Sequence, residues 1–166
     1  MQNRDTQSLI ANVGQTLIER NLSITAAESL TAGMFQSNLA DVAGISAIFP
    51  GGFVTYANEA KETLLDIPKE IISQYGVVSK HTAIWMAQQA KAKLQTNIAI
   101  SFTGVAGPDS LENQPAGTVW IGLAYRNETP FGQLFHFTGN RNQVREQSVH
   151  QGFQLLKEQL QTDHSF

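Results

Sequence analysis

The chain has 166 residues, 42% hydrophobic and 15% charged, with a formal net charge of −3, enough for one well-buried domain. Its scattered Lys and Arg lack the basic footprint of a nucleic-acid binder, and the absence of cysteine excludes disulfides, thiolate catalysis and Cys-based zinc sites. No apolar run approaches the ~18 residues of a membrane span, and the polar start MQNRDTQ lacks a signal-peptide pattern, so a protein with no membrane partner, located in the cytoplasm, is expected.

Leu9, Ile10, Val13, Leu17 and Ile18 recur at helical spacing and predict an amphipathic helix over 4–20. SITAA (23–27) suits a strand. Residues 32–42 return to helix and stop near Gly44, and FPGGFVTYA (49–57) reads as a strand with a glycine-marked irregular start. Asn58 is expected to cap the next helix, which carries Lys61. Pro68 suits the first turn of a short helix ending near Gly76. Ser79 then caps a helix over 80–94, where Ala83, Ala87, Ala90 and Leu94 form a small-residue face. NIAISFT (97–103) is β-like, and GTVWIGLAY (117–125) and GQLFHFT (132–138) flank a turn and pair as a hairpin. Val149, Phe153, Leu156 and Leu160 line a closing helix over 141–161, and TDHSF is expected to fray. Interleaved helices and strands predict a three-layer α/β/α sandwich with a mixed, largely parallel sheet.

Four stretches carry candidate chemistry. In TAAESLTAGMF (25–35), Ser29 falls where a strand hands over to a helix. Such ends collect backbone N–H groups, so Ser29 reads as a nucleophile, while Ser29 or Thr31 as a plain helix cap stays open. Nothing here matches G-x-S-x-G. The four histidines, His81, His136, His150 and His164, form no close ligand pair, so no metal site is expected. The remaining base is a lysine: Lys61, with Tyr56 nearby in sequence, would serve if desolvated, and a solvated surface charge is the alternative. FTGVAGPDS (102–110) is a plausible ligand loop in which Gly104 and Gly107 allow close approach; an ordinary turn is the alternative. Arg141 and Arg145 lie four apart at the start of the last helix, where cations oppose the helix dipole, which points to an anionic partner such as a phosphate or carboxylate; two solvated arginines are the alternative.

The ordered strings TAAESLTAG, VAGISAIFPGGFVTYANEAK, YGVVS, SFTGVAGPDS, PAGTVWIGLA and GNRNQVREQ resemble the CinA C-terminal domain family, which includes nicotinamide mononucleotide deamidases. The resemblance covers about residues 5–160 and leads us to expect a single domain over 1–166. It implies an α/β/α fold, a homo-oligomer, and hydrolysis of the carboxamide of nicotinamide mononucleotide to nicotinic acid mononucleotide and ammonia, with no cofactor. By position it makes Ser29 the nucleophile and assigns the family's lysine and tyrosine to Lys61 and Tyr56. It also points to the loop with Thr103, Gly104 and Gly107, and to Arg141 and Arg145, for the phosphate and ribose. Around Thr31 to Gly33 backbone N–H groups are expected to hold an oxyanion, and Glu28 to lie near the cationic ring, to neutralise Lys61 or to cap a backbone group. A nucleotide-binding relative without the chemistry, and an amidohydrolase acting on another carboxamide, are the alternatives. Two departures stand out: Leu30-Thr31-Ala32-Gly33 replaces the common Cys-Thr-Gly-Gly, and Thr103 adds a methyl group to the loop. Ala32 is expected to impose a more ordinary backbone. An N-terminal domain is fused in many family members, and its function is not transferred to this chain.

Overall fold

The computed structural model describes residues 3–166. The chain runs α1 (Arg4–Glu19), β1 (Ile24–Glu28), α2 (Met34–Ala40), β2 (Phe53–Val54), α3 (Asn58–Leu65), α4 (Lys69–Tyr75), α5 (Lys80–Leu94), β3 (Ile98–Gly104), β4 (Thr118–Tyr125), β5 (Phe131–His136) and α6 (Arg141–Thr162), with a short 3₁₀ turn at Ile45–Ala47. One five-stranded sheet has the order β2-β1-β3-β4-β5. β1 pairs parallel with both β2 and β3, and β3-β4 and β4-β5 are antiparallel, so the mixed sheet has two parallel pairings in four.

The sheet is the middle of three layers. Leu9, Val13, Leu17, Phe35, Leu39, Phe153 and Leu156 from α1, α2 and α6 meet Ile24, Ile100, Phe102 and Ile121 on one face. There Phe35 stacks on Phe153 with ring centroids 4.5 Å apart, and a Cβ on Gly152 would fall 2.5 Å from the Phe102 ring, so α6 approaches the sheet only because that position is glycine. On the other face Met86 and Ala90 of α5 join Ala27, Ala99, Leu65 and Ile67. α5 also lies close to the sheet: Ser101 Oγ donates to Ala83 O at 2.6 Å, and a Cβ on Gly122 would meet the same carbonyl at 2.4 Å. Continuous burial along β1 and β3 follows from covering both faces.

Four expectations are corrected. The strand expected over 49–57 pairs only at Phe53–Val54, because Gly51 turns the chain with φ 137° and Thr55 leaves toward α3. The helix expected from residue 32 begins at Met34, since Ala32 (φ 49°) and Gly33 (φ 94°) both take left-handed backbone; Ala32 therefore adopts the conformation that favours glycine. Asn58 is the first helical residue rather than the cap, which is Ala57 without a side-chain bond. The end of the chain is held: Asp163 accepts from the Tyr125 hydroxyl at 2.6 Å and Arg126 at 3.1 Å, and Phe166 lies against the guanidinium groups of Arg20 and Arg126. Ser79 caps α5 as expected, accepting from Thr82 N.

Candidate active site

Three parallel strands end side by side: β1 at Glu28, β2 at Val54 and β3 at Gly104. The connections leaving β1 and β2 cover opposite faces, which opens a crevice at the carboxyl ends. A cavity of about 350 Å³ lies there, lined among others by Ser29, Leu30, Tyr56, Lys61, Val77, Val78 and Arg141.

Ser29 follows β1 and its N–H donates to Phe102 O at 2.9 Å, which fixes it beside β3. Lys61 reaches it from α3. The lysine side chain is wholly buried, and its amine donates to Ser29 Oγ at 3.0 Å, Thr55 O at 2.7 Å and Tyr56 O at 3.2 Å. Those three acceptors match the three protons of an ammonium, which is how a lysine tolerates full burial. Burial nonetheless pushes its pKa down to about 8, and the negative charge of Glu112 opposes that shift. Deprotonation leaves two N–H donors for the carbonyls and a lone pair facing the serine hydroxyl. The pair can thus act as a nucleophile with its base.

The turn after Ser29 is built by two charged side chains. Glu28 is fully buried, and its carboxylate accepts from Phe35 N (2.9 Å), Gln36 N (3.1 Å) and Gln36 Nε2 (2.8 Å). It therefore caps α2 from the preceding strand, relieving Ser29 and Thr31 of that role. Arg145 donates to Leu30 O at 2.8 Å and Thr31 O at 3.2 Å. Among the described residues the N–H groups of Leu30, Thr31 and Gly33 have no acceptor, whereas that of Ala32 donates to Ser29 O.

A profile of the CinA C-terminal domain matches residues 6–160. The chain belongs to the CinA C-terminal domain family. It is 58% identical over 159 residues to a competence-damage inducible protein of Lactiplantibacillus plantarum, covering 96% of this chain and 38% of that protein. A protein of the same name from Listeria welshimeri is 48% identical, over 94% of this chain and 38% of its own length. The chain thus spans little more than a third of the curated relatives it matches. Among solved structures, a CinA superfamily protein of Klebsiella pneumoniae superposes with TM-score 0.91 at 33% identity, covering 96% of this chain and 99% of its own. A competence/damage inducible protein of Agrobacterium tumefaciens gives 0.91 at 29% identity, covering 98% of this chain and 99% of its own.

The residues expected at the site divide into two sets. Ser29, Tyr56, Lys61, Thr103, Gly104, Gly107 and Arg141 line the cavity of this CinA domain. Glu28, Thr31, Gly33 and Arg145 lie outside its lining and shape the turn beneath it, Thr31 fully buried and Gly33 preceding α2 with left-handed backbone. Tyr56 meets Lys61 through its backbone carbonyl, while its hydroxyl bonds Arg141. Arg141 also donates to Gly107 O at 2.6 Å, tying the loops after β2 and β3 together. Gly104 is required by the neighbouring strand, because a Cβ would fall 2.6 Å from Thr118 O. The Thr103 hydroxyl is engaged by Val77 O at 2.7 Å. Sequence reasoning missed Val77 and Val78 as cavity wall and Glu112 as the charge acting on Lys61; the apolar pair carries no signal that separates it from core. No described helix is long and apolar enough to cross a membrane, and no group of metal-ligating side chains occurs among the described residues.

Proposed function

We propose that the chain is an amidase that hydrolyses the carboxamide of nicotinamide mononucleotide to nicotinic acid mononucleotide and ammonia through an acyl-enzyme on Ser29. The buried amine of Lys61, 3.0 Å from Ser29 Oγ beside an open cavity, carries this reading. A fully buried lysine needs a reason, and activating an alcohol that has no histidine beside it supplies one.

In this mechanism neutral Lys61 takes the hydroxyl proton as Ser29 Oγ bonds to the carboxamide carbon. Charge moves to the carbonyl oxygen, which the backbone N–H of Leu30, the turn residue that lines the cavity and has no acceptor among the described residues, stabilises. The lysine returns the proton to the nitrogen, the C–N bond breaks and ammonia leaves. Water then adds to the ester, Lys61 again accepting a proton, and the carboxylate departs as Ser29 recovers its own. The cationic ring withdraws electrons and makes its amide a better electrophile. Arg141 at the rim offers the charge that a phosphate needs, with the chain around Gly107 beside it. The same reading makes the protein a cytoplasmic homo-oligomer that needs no metal or organic cofactor.

Ammonia release from nicotinamide mononucleotide tests it. Wild-type protein is expected to release ammonia, and Ser29→Ala and Lys61→Ala to reduce the rate at least about 10³-fold. Nucleotide binding without ammonia release would identify a binding module instead. Release by another carboxamide alone would keep the site and change the substrate.

A further inference from the structure

The dipeptide Val77-Val78 forms part of the cavity wall, yet it lies between α4 and α5 and belongs to no helix or strand. Its four backbone polar groups are all satisfied by side chains. Glu112 accepts from Val77 N at 2.7 Å and Val78 N at 3.1 Å. Thr103 Oγ1 donates to Val77 O at 2.7 Å, and Gln114 Nε2 donates to Val78 O at 2.8 Å. Irregular backbone at a buried wall must find partners in this way or lose free energy for each orphan group.

Glu112 stands apart from the other two straps because it carries charge. It sits in the excursion between β3 and β4, with left-handed backbone (φ 53°), as does Asn113 (φ 59°). Leu111 and Gln114 close the tip of that excursion through paired backbone bonds of 3.1 and 2.9 Å. Gly76 makes room for the carboxylate, since a Cβ there would fall 2.5 Å from its oxygen. A turn of this shape, and a glycine that clears its carboxylate, are devices for holding one anion in one place.

We propose that Glu112 is a positioning residue of the Ser29–Lys61 site: its carboxylate pins the Val77-Val78 wall and supplies the negative charge of the lysine's neighbourhood. The kinetic part of this inference rests on the proposed amidase reading; the rest does not. The cavity rim also carries Asp109, Arg141 and Tyr56. Glu28 is engaged beneath the turn, while Glu59 is exposed on the lysine's own helix and Glu62 pairs with Lys69 at 3.8 Å. Of all these, Glu112 alone opposes the effect of burial on Lys61. Held in one place by the Val77 and Val78 N–H groups, this anion favours the protonated amine and so raises the pH at which free base appears.

The chain contains six lysines, few enough to follow individually by NMR of ¹³Cε-labelled protein. The Lys61 signal is assigned by its disappearance in Lys61→Met. In Glu112→Gln its titration midpoint is expected at lower pH than in wild type, and in Glu62→Gln unchanged. Glu112→Asp, which keeps the charge and withdraws it by one methylene, is expected to fall between and covers the case in which the glutamine variant does not fold. A folded Glu112→Gln or Glu112→Asp protein whose Lys61 titrates as in wild type would overturn the proposal, whether or not the protein hydrolyses nicotinamide mononucleotide. With turnover, Glu112→Gln is also expected to shift the acid limb of kcat/KM to lower pH and to raise KM about tenfold through the loosened wall. A wholly structural glutamate would raise KM and leave that limb in place.

Discussion

Under the proposed mechanism, Lys61 concentrates the chemistry of this domain in one side chain. With a pKa near 8, roughly one tenth of the molecules carry the free amine at pH 7. Under the proposed mechanism kcat/KM is expected to rise tenfold per pH unit below 8 and level off above it, as measured with saturating buffer and ammonia detection. The same shift has a stability signature. The unfolded lysine titrates near 10.5, so between about pH 8 and 10.5 the unfolded chain binds more protons at this position than the folded one. Folding stability must therefore rise with pH across that window. Urea unfolding of wild type and Lys61→Met should show the wild type gaining relative to the variant from pH 8 to 10.5. Ala32 offers a second test at this scale: in left-handed backbone at φ 49°, Ala32→Gly is expected to be neutral or stabilising by up to about 1 kcal/mol in the same assay, steric relief outweighing the glycine's greater unfolded freedom. The serine and the lysine were legible from type and setting, one at a strand end and one after the next strand. Their meeting was not, because 32 positions separate them and only the fold sets that distance.

Among the elements, α2 and α6 turn out to serve the serine turn. Glu28 closes the N-terminus of α2 from below, and Arg145 reaches from α6 to two carbonyls of the turn. Removing the first, in Glu28→Ala, leaves buried N–H groups without partners and is expected to cost about 3 kcal/mol in urea unfolding. The two arginines should separate in kinetics. Arg141→Ala, at the rim, is expected to raise KM for the nucleotide, whereas Arg145→Ala, which never touches the cavity, should lower kcat about tenfold with little change in KM. Helical spacing showed both arginines on one face, and that much is observed. It could not show that one guanidinium would be engaged by backbone oxygens and the other face a cavity. Likewise a glutamate before a serine reads as a candidate for substrate contact; nothing local reveals that it caps a helix seven residues on.

At the scale of the molecule, layer order and most helices were legible because apolar residues recur at helical period in α1 and α6 and short β-like runs with Ile24, Ile98 and Ile100 interrupt that period at β1 and β3. The share of parallel pairing was not, since it depends on how far β2 pairs, and glycines at 51 and 52 leave that strand two residues. That brief ladder has a consequence. The proposed nucleophile follows β1, which is paired on both sides, but its proposed base is hung from the two-residue edge strand β2, joined to β1 through contacts such as Thr55 N–H to Glu28 O at 2.9 Å. Breathing of this margin should disconnect the proton acceptor from the alcohol without unfolding anything else. Deuterium uptake at Thr55 should accordingly outpace uptake along β3, and slow when a molecule occupies the crevice and bridges the two strands.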